Sequence, residues 1–365
     1  MLEIAEEPRS ARFPRIQRAA GTDSAVDDMT HGFPGRWPAR AKLLTFAGWA
    51  VLVALLSGCR DTGSVAQQAP SSTAITPEPL ARQASTAARP SWQRPLLYRV
   101  VGNGTRFYVF GTIHLPDDRL EQFPPALEAA LAESDAVFTE ISMTPETQAS
   151  IAPLALLPRG QALSQLLTEP LYSDVMASFA ERGVPSASLE PLKPWALALQ
   201  LALLDRLHTL AKKKPLDALI YERAAAAGKA VAGIESAGEQ IDALDKLAVA
   251  EQVEYLRQTL AFRGRMKAAR RDVLGELLEG YVAGDDALVH GLMREGYDES
   301  SPVAVKVFKR LITDRNATMT TRILARVRSK PKMRHLFAIG AGHVVGENGT
   351  MARLERHGFK VERVE

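Results

Sequence analysis

The chain has 365 residues, 46% of them hydrophobic and 24% charged, the balance of an ordinary globular protein with room for one large domain or two small ones. Its formal net charge is only +3, and several positive charges fall in the N-terminal segment, so nothing in the charge balance points to nucleic acid. Cys59 is the only cysteine, which excludes an intrachain disulfide and a cysteine-rich metal site.

Residues 1–28 carry no targeting pattern, and Met29 stands closer to the basic region of Arg36, Arg40 and Lys42, which makes it an alternative start. Leu43 to Leu56 is apolar but short for a membrane span, and Ser57-Gly58-Cys59 follows it. This is the layout of a secretory signal. Leu56-Ser57-Gly58-Cys59 resembles a bacterial lipoprotein signal box, which implies cleavage before Cys59, diacylglyceryl attachment to its sulfur, and a lipid-anchored protein facing the periplasm. A short transmembrane anchor with an incidental cysteine is the alternative. Arg60 to Arg94 is rich in Ala, Ser, Thr, Gln and Pro without hydrophobic periodicity. Such a segment reads as a flexible tether. The expected organisation is a signal segment over 1–58, a tether over 59–94 and a domain over 95–365.

The domain opens with a hairpin, Leu96 to Val101 and Arg106 to Phe110 around Gly102-Asn103-Gly104-Thr105, where Gly and Asn tolerate positive φ. A helix is expected over Pro124 to Glu133, then a strand ending at Glu140. Met143 to about Leu278 reads as mostly helical. Leu163, Leu166, Leu167 and Leu171 have helical spacing, as do Leu197, Leu201, Leu204 and Leu207 after Pro194-Trp195. Tyr221 to Ala227 reads as a helix stopped by Gly228, and a strand then runs to Glu235. Ser236 and Glu239 have capping-box spacing, which gives Glu239 a structural explanation. Arg257 to Arg271 reads as a solvated basic face. Further helices are expected after Gly284-Asp285-Asp286, from Asp314-Arg315-Asn316 to about Val327, and from Met351 to Arg356. A strand running to His343 lies between the last two, and Lys360 to Val364 alternates like an edge strand.

Two apolar runs end in G-x-x-H: Tyr108-Val109-Phe110 leads into Gly111-Thr112-Ile113-His114, and Leu336 to Ile339 leads into Gly340-Ala341-Gly342-His343. Two more end in glutamate, Ala136 to Thr139 at Glu140 and Ala230 to Ile234 at Glu235. Ligands of open α/β sheets sit outside the carboxyl ends of the strands, so four strands delivering His or Glu there could build one site. Imidazole nitrogen and carboxylate oxygen suit divalent metals such as Mn, Co or Zn, and a metal-bound water is a nucleophile near neutral pH. The expected metal ligands are His114, His343 and Glu140. Glu140 and Glu235 are the candidate bases, and Arg315 is a candidate for neutralising an oxyanion. No G-x-S-x-G elbow, P-loop, H-E-x-x-H or dinucleotide motif is present.

Taken in order, Tyr108 to His114, the strand ending at Glu140, Gly233-Ile234-Glu235-Ser236 with Glu239-Gln240, Gly284-Asp285, Asp314-Arg315-Asn316, and Gly340-Ala341-Gly342-His343 with Val345-Gly346-Glu347 resemble the TraB/PrgY/GumN family, related to the Tiki metalloproteases. Ser236 stands where Thr is common and Val344 where Leu is common. The resemblance implies an α/β fold, a mixed central sheet flanked by helices like that of erythromycin esterase and ChaN-like proteins, with a largely helical middle region. It also implies metal-dependent proteolysis in the Tiki relatives, whereas many bacterial members have no established activity.

Two readings follow. In the first, the chain is a metal-dependent hydrolase, a peptidase acting on a peptide or protein substrate and tethered by a lipid anchor. In the second, it binds and sequesters a peptide signal or a haem-like ligand without turnover. A metal-free esterase using His and Glu for acid–base work is a third arrangement of the same residues.

Overall fold

The computed structural model describes residue 92 and residues 94–365. The expectations for the signal segment, for Cys59 and for nearly all of the tether fall outside the described residues. Within them the strands are β1 (Leu97–Gly102), β2 (Thr105–Thr112), β3 (Ala136–Thr139), β4 (Ala230–Gly233), β5 (His335–Gly340) and β6 (Lys360–Arg363). The helices are α1 (Pro125–Glu133), α2 (Pro145–Ile151), α3 (Leu171–Ala180), α4 (Pro194–Ala202), α5 (Leu207–Leu210), α6 (Leu216–Ala226) and α7 (Ala237–Asp245). They continue with α8 (Val249–Ala268), α9 (Val273–Ala283), α10 (Asp286–Glu295), α11 (Pro302–Phe308), α12 (Asp314–Ser329), α13 (Ala341–Val344) and α14 (Thr350–Arg356).

The strands form one mixed sheet of six in the order β4-β3-β5-β2-β1-β6, with flanking helices. β4, β3, β5 and β2 run parallel, and β1 is antiparallel to both β2 and β6. β3 and β5 are buried at every position, which explains why they read as unbroken apolar runs rather than alternating ones. β1 joins β2 through a tight turn in which Asn103 and Gly104 adopt positive φ of 51° and 73°. The core along the sheet gathers Phe107, Phe110, Val137, Leu336 and Phe337 with Leu127, Ile220, Tyr281, Ile323 and Leu354 from the helices. A second cluster, including Leu163, Val175, Phe179, Leu197, Leu201 and Leu256, holds the helical middle region together.

Four sequence expectations meet a different local structure. Leu163 to Leu171 is not one helix. A single 3-10 turn covers Leu163–Gln165, and α3 begins only after Pro170, because the residue before a proline is pushed out of the helical region. The helix from Pro194 breaks at Leu203 and resumes at Leu207, with one 3-10 turn over Leu204–Arg206. The helix before Gly228 begins at Leu216, five residues ahead of Tyr221. Asp314 opens no new helix: Thr313 is already helical at φ −65°, and α12 continues out of a π-helical turn over Lys309–Thr313. Such turns relieve a one-residue insertion and cluster at functional sites. The turn ends at Thr313, two residues before Arg315 and three before Asn316.

Candidate functional site

The strand order sets the site. β5 enters the sheet between β2 and β3, pairing Tyr108 with Leu336 on one side and Val137 with Leu336 on the other. Neighbouring strands lie about 4.8 Å apart, so the residues following β4, β3, β5 and β2 form a short row: Glu235, Glu140, His343 and His114. The two G-x-x-H segments are offset by one residue, because Gly340 pairs with Thr112 and Gly111 with Ile339. His343 is not on the strand itself. It sits in the single-turn helix α13, which bends the chain back over the sheet edge.

Gly340 lies at the centre of the row. A Cβ placed there would stand 2.9 Å from Glu140 Oε1, 3.5 Å from His114 Nε2 and 3.6 Å from His343 Cδ2, so three candidate side chains surround one point. The missing side chain lets the backbone come close to the carboxylate. The Gly340 N–H uses that approach, donating to Glu140 Oε1 at 2.6 Å.

Arg315 reaches into the row from the start of α12. Its Nη2 donates to Glu140 Oε2 at 2.6 Å and to Glu235 Oε2 at 2.8 Å, and its Nε donates to Glu235 Oε2 at 3.0 Å. Its Nη1 lies 3.1 Å from His343 Nε2 and donates to the Leu311 carbonyl of the π-helical turn at 3.3 Å. Gln240 Nε2 donates to Glu140 Oε2 at 2.9 Å and to Glu235 Oε2 at 3.3 Å. The cluster is withdrawn from water: side-chain exposures are 9% for Glu140, 3% for Glu235 and 14% for Arg315. Burial by itself would raise the carboxyl pKa of Glu140. The charge of Arg315 first, then the imidazoles of His343 and His114 and the Gly340 N–H, outweigh it, holding the group well below the usual carboxylate range. Burial would likewise lower the Arg315 pKa, and the two carboxylates raise it instead.

The two histidines have opposite partners. His343 Nδ1 is 2.7 Å from Asn316 Oδ1. Asn316 Nδ2 donates to the Asn348 carbonyl at 2.9 Å, which fixes the amide orientation. His343 Nδ1 therefore carries the hydrogen, and its Nε2 lone pair faces Arg315. Burial, with the nearby cation of Arg315, pushes this imidazole down to about 3. His114 Nδ1 faces the Asp217 carboxylate, with Oδ1 at 3.2 Å. Burial would lower the His114 pKa, but the charge and hydrogen bond of Asp217, with Glu140 beyond, raise it to about 9. At neutral pH one ring is charged and the other neutral.

The structure thus places His114, Glu140, Glu235, Arg315 and His343 at one end of the sheet. Sequence reasoning missed Asp217, and it assigned no role to Asn316 or Gln240. A signal for Asp217 existed: it lies on the buried face of α6 with Ile220, Tyr221 and Ala224, at the i, i+3, i+4, i+7 spacing of an apolar stripe. A carboxylate on such a face needs a partner.

The donor set does not fit a metal ion as it is arranged. Among the described residues no group of three or more His, Cys, Asp or Glu side chains could hold an ion. Both oxygens of Glu140, Oε2 of Glu235 and Nε2 of His343 already face N–H donors, and a guanidinium fills the space between them. Beside the row runs a cleft of about 1350 Å³, lined by Tyr255, Phe262, Met266, Leu277 and Met293 and reaching Asn316 and Gly342. Among the described residues no helix is long and apolar enough to cross a membrane.

The sequence profile of the TraB/PrgY/gumN family matches residues 96–363. Among curated proteins, Metalloprotease TIKI1 of Danio rerio is 27% identical over 297 residues, covering 70% of this chain and 60% of its own length. The Metalloprotease TIKI homolog of Nematostella vectensis is 23% identical over 303 residues, covering 70% and 64%. Metalloprotease TIKI1 of Homo sapiens is 23% identical over 298 residues, covering 70% and 59%. The chain spans roughly three-fifths of the length of these relatives. No solved structure matches it.

Proposed function

This chain belongs to the TraB/PrgY/gumN family, and from that premise we propose that it is a hydrolase of peptide bonds, working at the strand-end row and tethered to the bacterial envelope through lipid on Cys59. The observation that carries the reading is the convergence of His114, Glu140, Glu235, Arg315 and His343 on the space around Gly340. The relatives named metalloproteases support the peptide class of substrate. The cleft borders the row through Asn316 and Gly342, and its mixed lining of Tyr255, Phe262 and Met293 with Arg263, Arg270 and Arg271 offers a peptide both apolar and charged contacts.

The geometry divides the roles. A water attacking a carbonyl carbon must lose a proton, and the departing amine must gain one. His343, with Nδ1 committed to Asn316, has the lone pair that can take the proton from water once Arg315 Nη1 turns to the developing oxyanion, a move that also takes away one of the charges holding its pKa down. His114, held by Asp217, is the group that returns a proton to the amine as the C–N bond breaks. Glu140 and Glu235 hold Arg315, and Glu140, with both oxygens engaged by donors, is a positioning group rather than a base. No step passes through a metal ion.

One observation favours the non-catalytic reading, in which the chain sequesters a peptide: Arg315 and the two carboxylates satisfy one another in a closed buried cluster. Incubating the purified domain with a peptide library and reading cleavage by mass spectrometry decides between the two. The same assay with chelator, and with added Mn, Co or Zn, tests the expectation of metal dependence. Cleavage by the native protein that His343→Ala abolishes supports hydrolysis. Saturable peptide binding without any cleavage would establish the sequestering reading instead.

A further inference from the structure

We propose that Arg315 is the site's own cation: its guanidinium occupies the position among Glu140, Glu235 and His343 that a divalent ion would need, so the native chain holds no ion tightly there, and a neutral residue at 315 converts the same pocket into a divalent-cation site. The inference rests on the reading that these residues form the functional site, and not on which bond the site cleaves.

The contacts carry it. Three groups of the types that ligate transition metals meet a single side chain: Glu140 Oε2 at 2.6 Å from Nη2, Glu235 Oε2 at 2.8 Å from Nη2, and His343 Nε2 at 3.1 Å from Nη1. The imidazole contributes a lone pair and not an N–H, because Nδ1 is committed to the fixed amide of Asn316. Two carboxylate oxygens and one imidazole nitrogen would make a three-ligand shell if they closed on one point at about 2.0–2.2 Å. The planar guanidinium stands between them, each facing a different N–H, and among the described residues no group of three or more such side chains could hold an ion.

Charge and burial point the same way. Two buried carboxylates need compensation, and Arg315 supplies it from a position anchored to the Leu311 carbonyl in the π-helical turn. An ion entering beside a retained Arg315 would meet a like charge at contact distance in a water-poor pocket. With Arg315 removed, the charge of His114 would still face Glu140, but the pair of buried carboxylates would keep a net negative charge, which favours an incoming divalent ion. Removing one member of a buried charge cluster is also strongly destabilising, so the bound ion should restore stability as well as occupy the space.

The experiment compares native protein, Arg315→Ala and Arg315→Gln after chelator treatment and dialysis, without substrate. Co²⁺ is titrated and read by calorimetry and visible absorption, and melting is followed with and without Co²⁺. The native protein should show no saturable site in the micromolar range. Each variant should bind one Co²⁺ per chain at least roughly 100-fold more tightly than native, because a like charge about 4 Å away costs more than that at the effective dielectric of such sites. Co²⁺ should raise the melting temperature of the variants and leave the native value unchanged, and His343→Ala in the Arg315→Gln background should abolish binding. Native protein that purifies with one chelator-removable ion per chain would overturn the proposal, and so would folded variants that bind none. Should neither variant fold, the metal content and Co²⁺ titration of the native protein decide alone. Metal binding is read apart from cleavage, so failure here leaves the hydrolase reading standing, and the reverse holds.

Discussion

Asp217 Oδ1 lies 3.2 Å from His114 Nδ1, tying the first turn of α6 to the segment that follows β2. The pair has a pH signature. The pKa of His114 rises in the folded state from an ordinary 6.5 to about 9. A group raised on folding stabilises fully below its unfolded pKa and loses that contribution as pH climbs through the folded value. Native stability should therefore fall between about pH 6.5 and 9. The side chain keeps 30% exposure, so solvent screening trims the effect to about 1–3 kcal/mol. Asp217→Asn should flatten this part of the curve. Denaturant midpoints for both proteins at pH 6, 7.5 and 9 check it, and identical slopes would remove Asp217 as the cause.

Gly340→Ala tests the close approach at the centre of the row. The added methyl would stand 2.9 Å from Glu140 Oε1, where the carboxylate accepts the Gly340 N–H. The carboxylate is held by Arg315 and Gln240 on its other oxygen and cannot retreat freely. We expect a loss of about 1–3 kcal/mol, the usual cost of overpacking, with a larger loss of cleavage than of stability. A variant as stable and active as native would mean that Glu140 moves without consequence.

Much of the fold was readable because the central strands are buried on both faces. Leu336 to Ile339 and Ala136 to Thr139 carry no polar residue to blur the run except Thr139, whose hydroxyl donates to the Ile141 carbonyl at 2.6 Å. The hairpin and the stop at Gly228 were readable because positive φ leaves a residue signature. The order of the strands was not: β5 enters between β2 and β3, a pairing that joins residues about two hundred positions apart and is set by the whole core. That insertion is what brings His343 between Glu140 and His114. The central place of Arg315 was hidden for a related reason. The sequence shows Asp314-Arg315-Asn316 as a helix start, whereas the preceding π-helical turn is a backbone feature with no residue code. Pro170 and Leu203 broke two leucine patterns whose spacing looked continuous.

The lipid anchor is tested in cells. If Cys59 carries diacylglycerol, full-length protein should fractionate with membranes, and Cys59→Ala should release the domain or block its processing. A single acyl chain gives only marginal membrane binding, whereas the lipoprotein modification supplies at least two. Mass spectrometry of the mature protein that finds an unmodified Cys59 peptide still joined to residues 50–58 would rule the anchor out.

The last prediction concerns the two histidines as a unit. His114 Nε2 and His343 Cδ2 both lie within 3.6 Å of the point a Gly340 Cβ would occupy, although one ring is held by Asp217 and the other by Asn316. If one gives a proton and the other takes one in the same reaction, losing either stops the cycle, and losing both removes nothing further. Groups acting together are non-additive in this way. General acid and base steps each contribute on the order of 10²–10⁴ in rate, so His114→Ala and His343→Ala should each lower kcat by that order. The double variant should match the slower single one. Losses that multiply would show that the rings contribute independently and not as one unit. Asn316→Asp gives a finer check. Its carboxylate would favour the charged form of His343, since a nearby opposite charge raises an imidazole pKa, so the activity of that variant should fall on the acid side of the pH profile while the alkaline side stays in place.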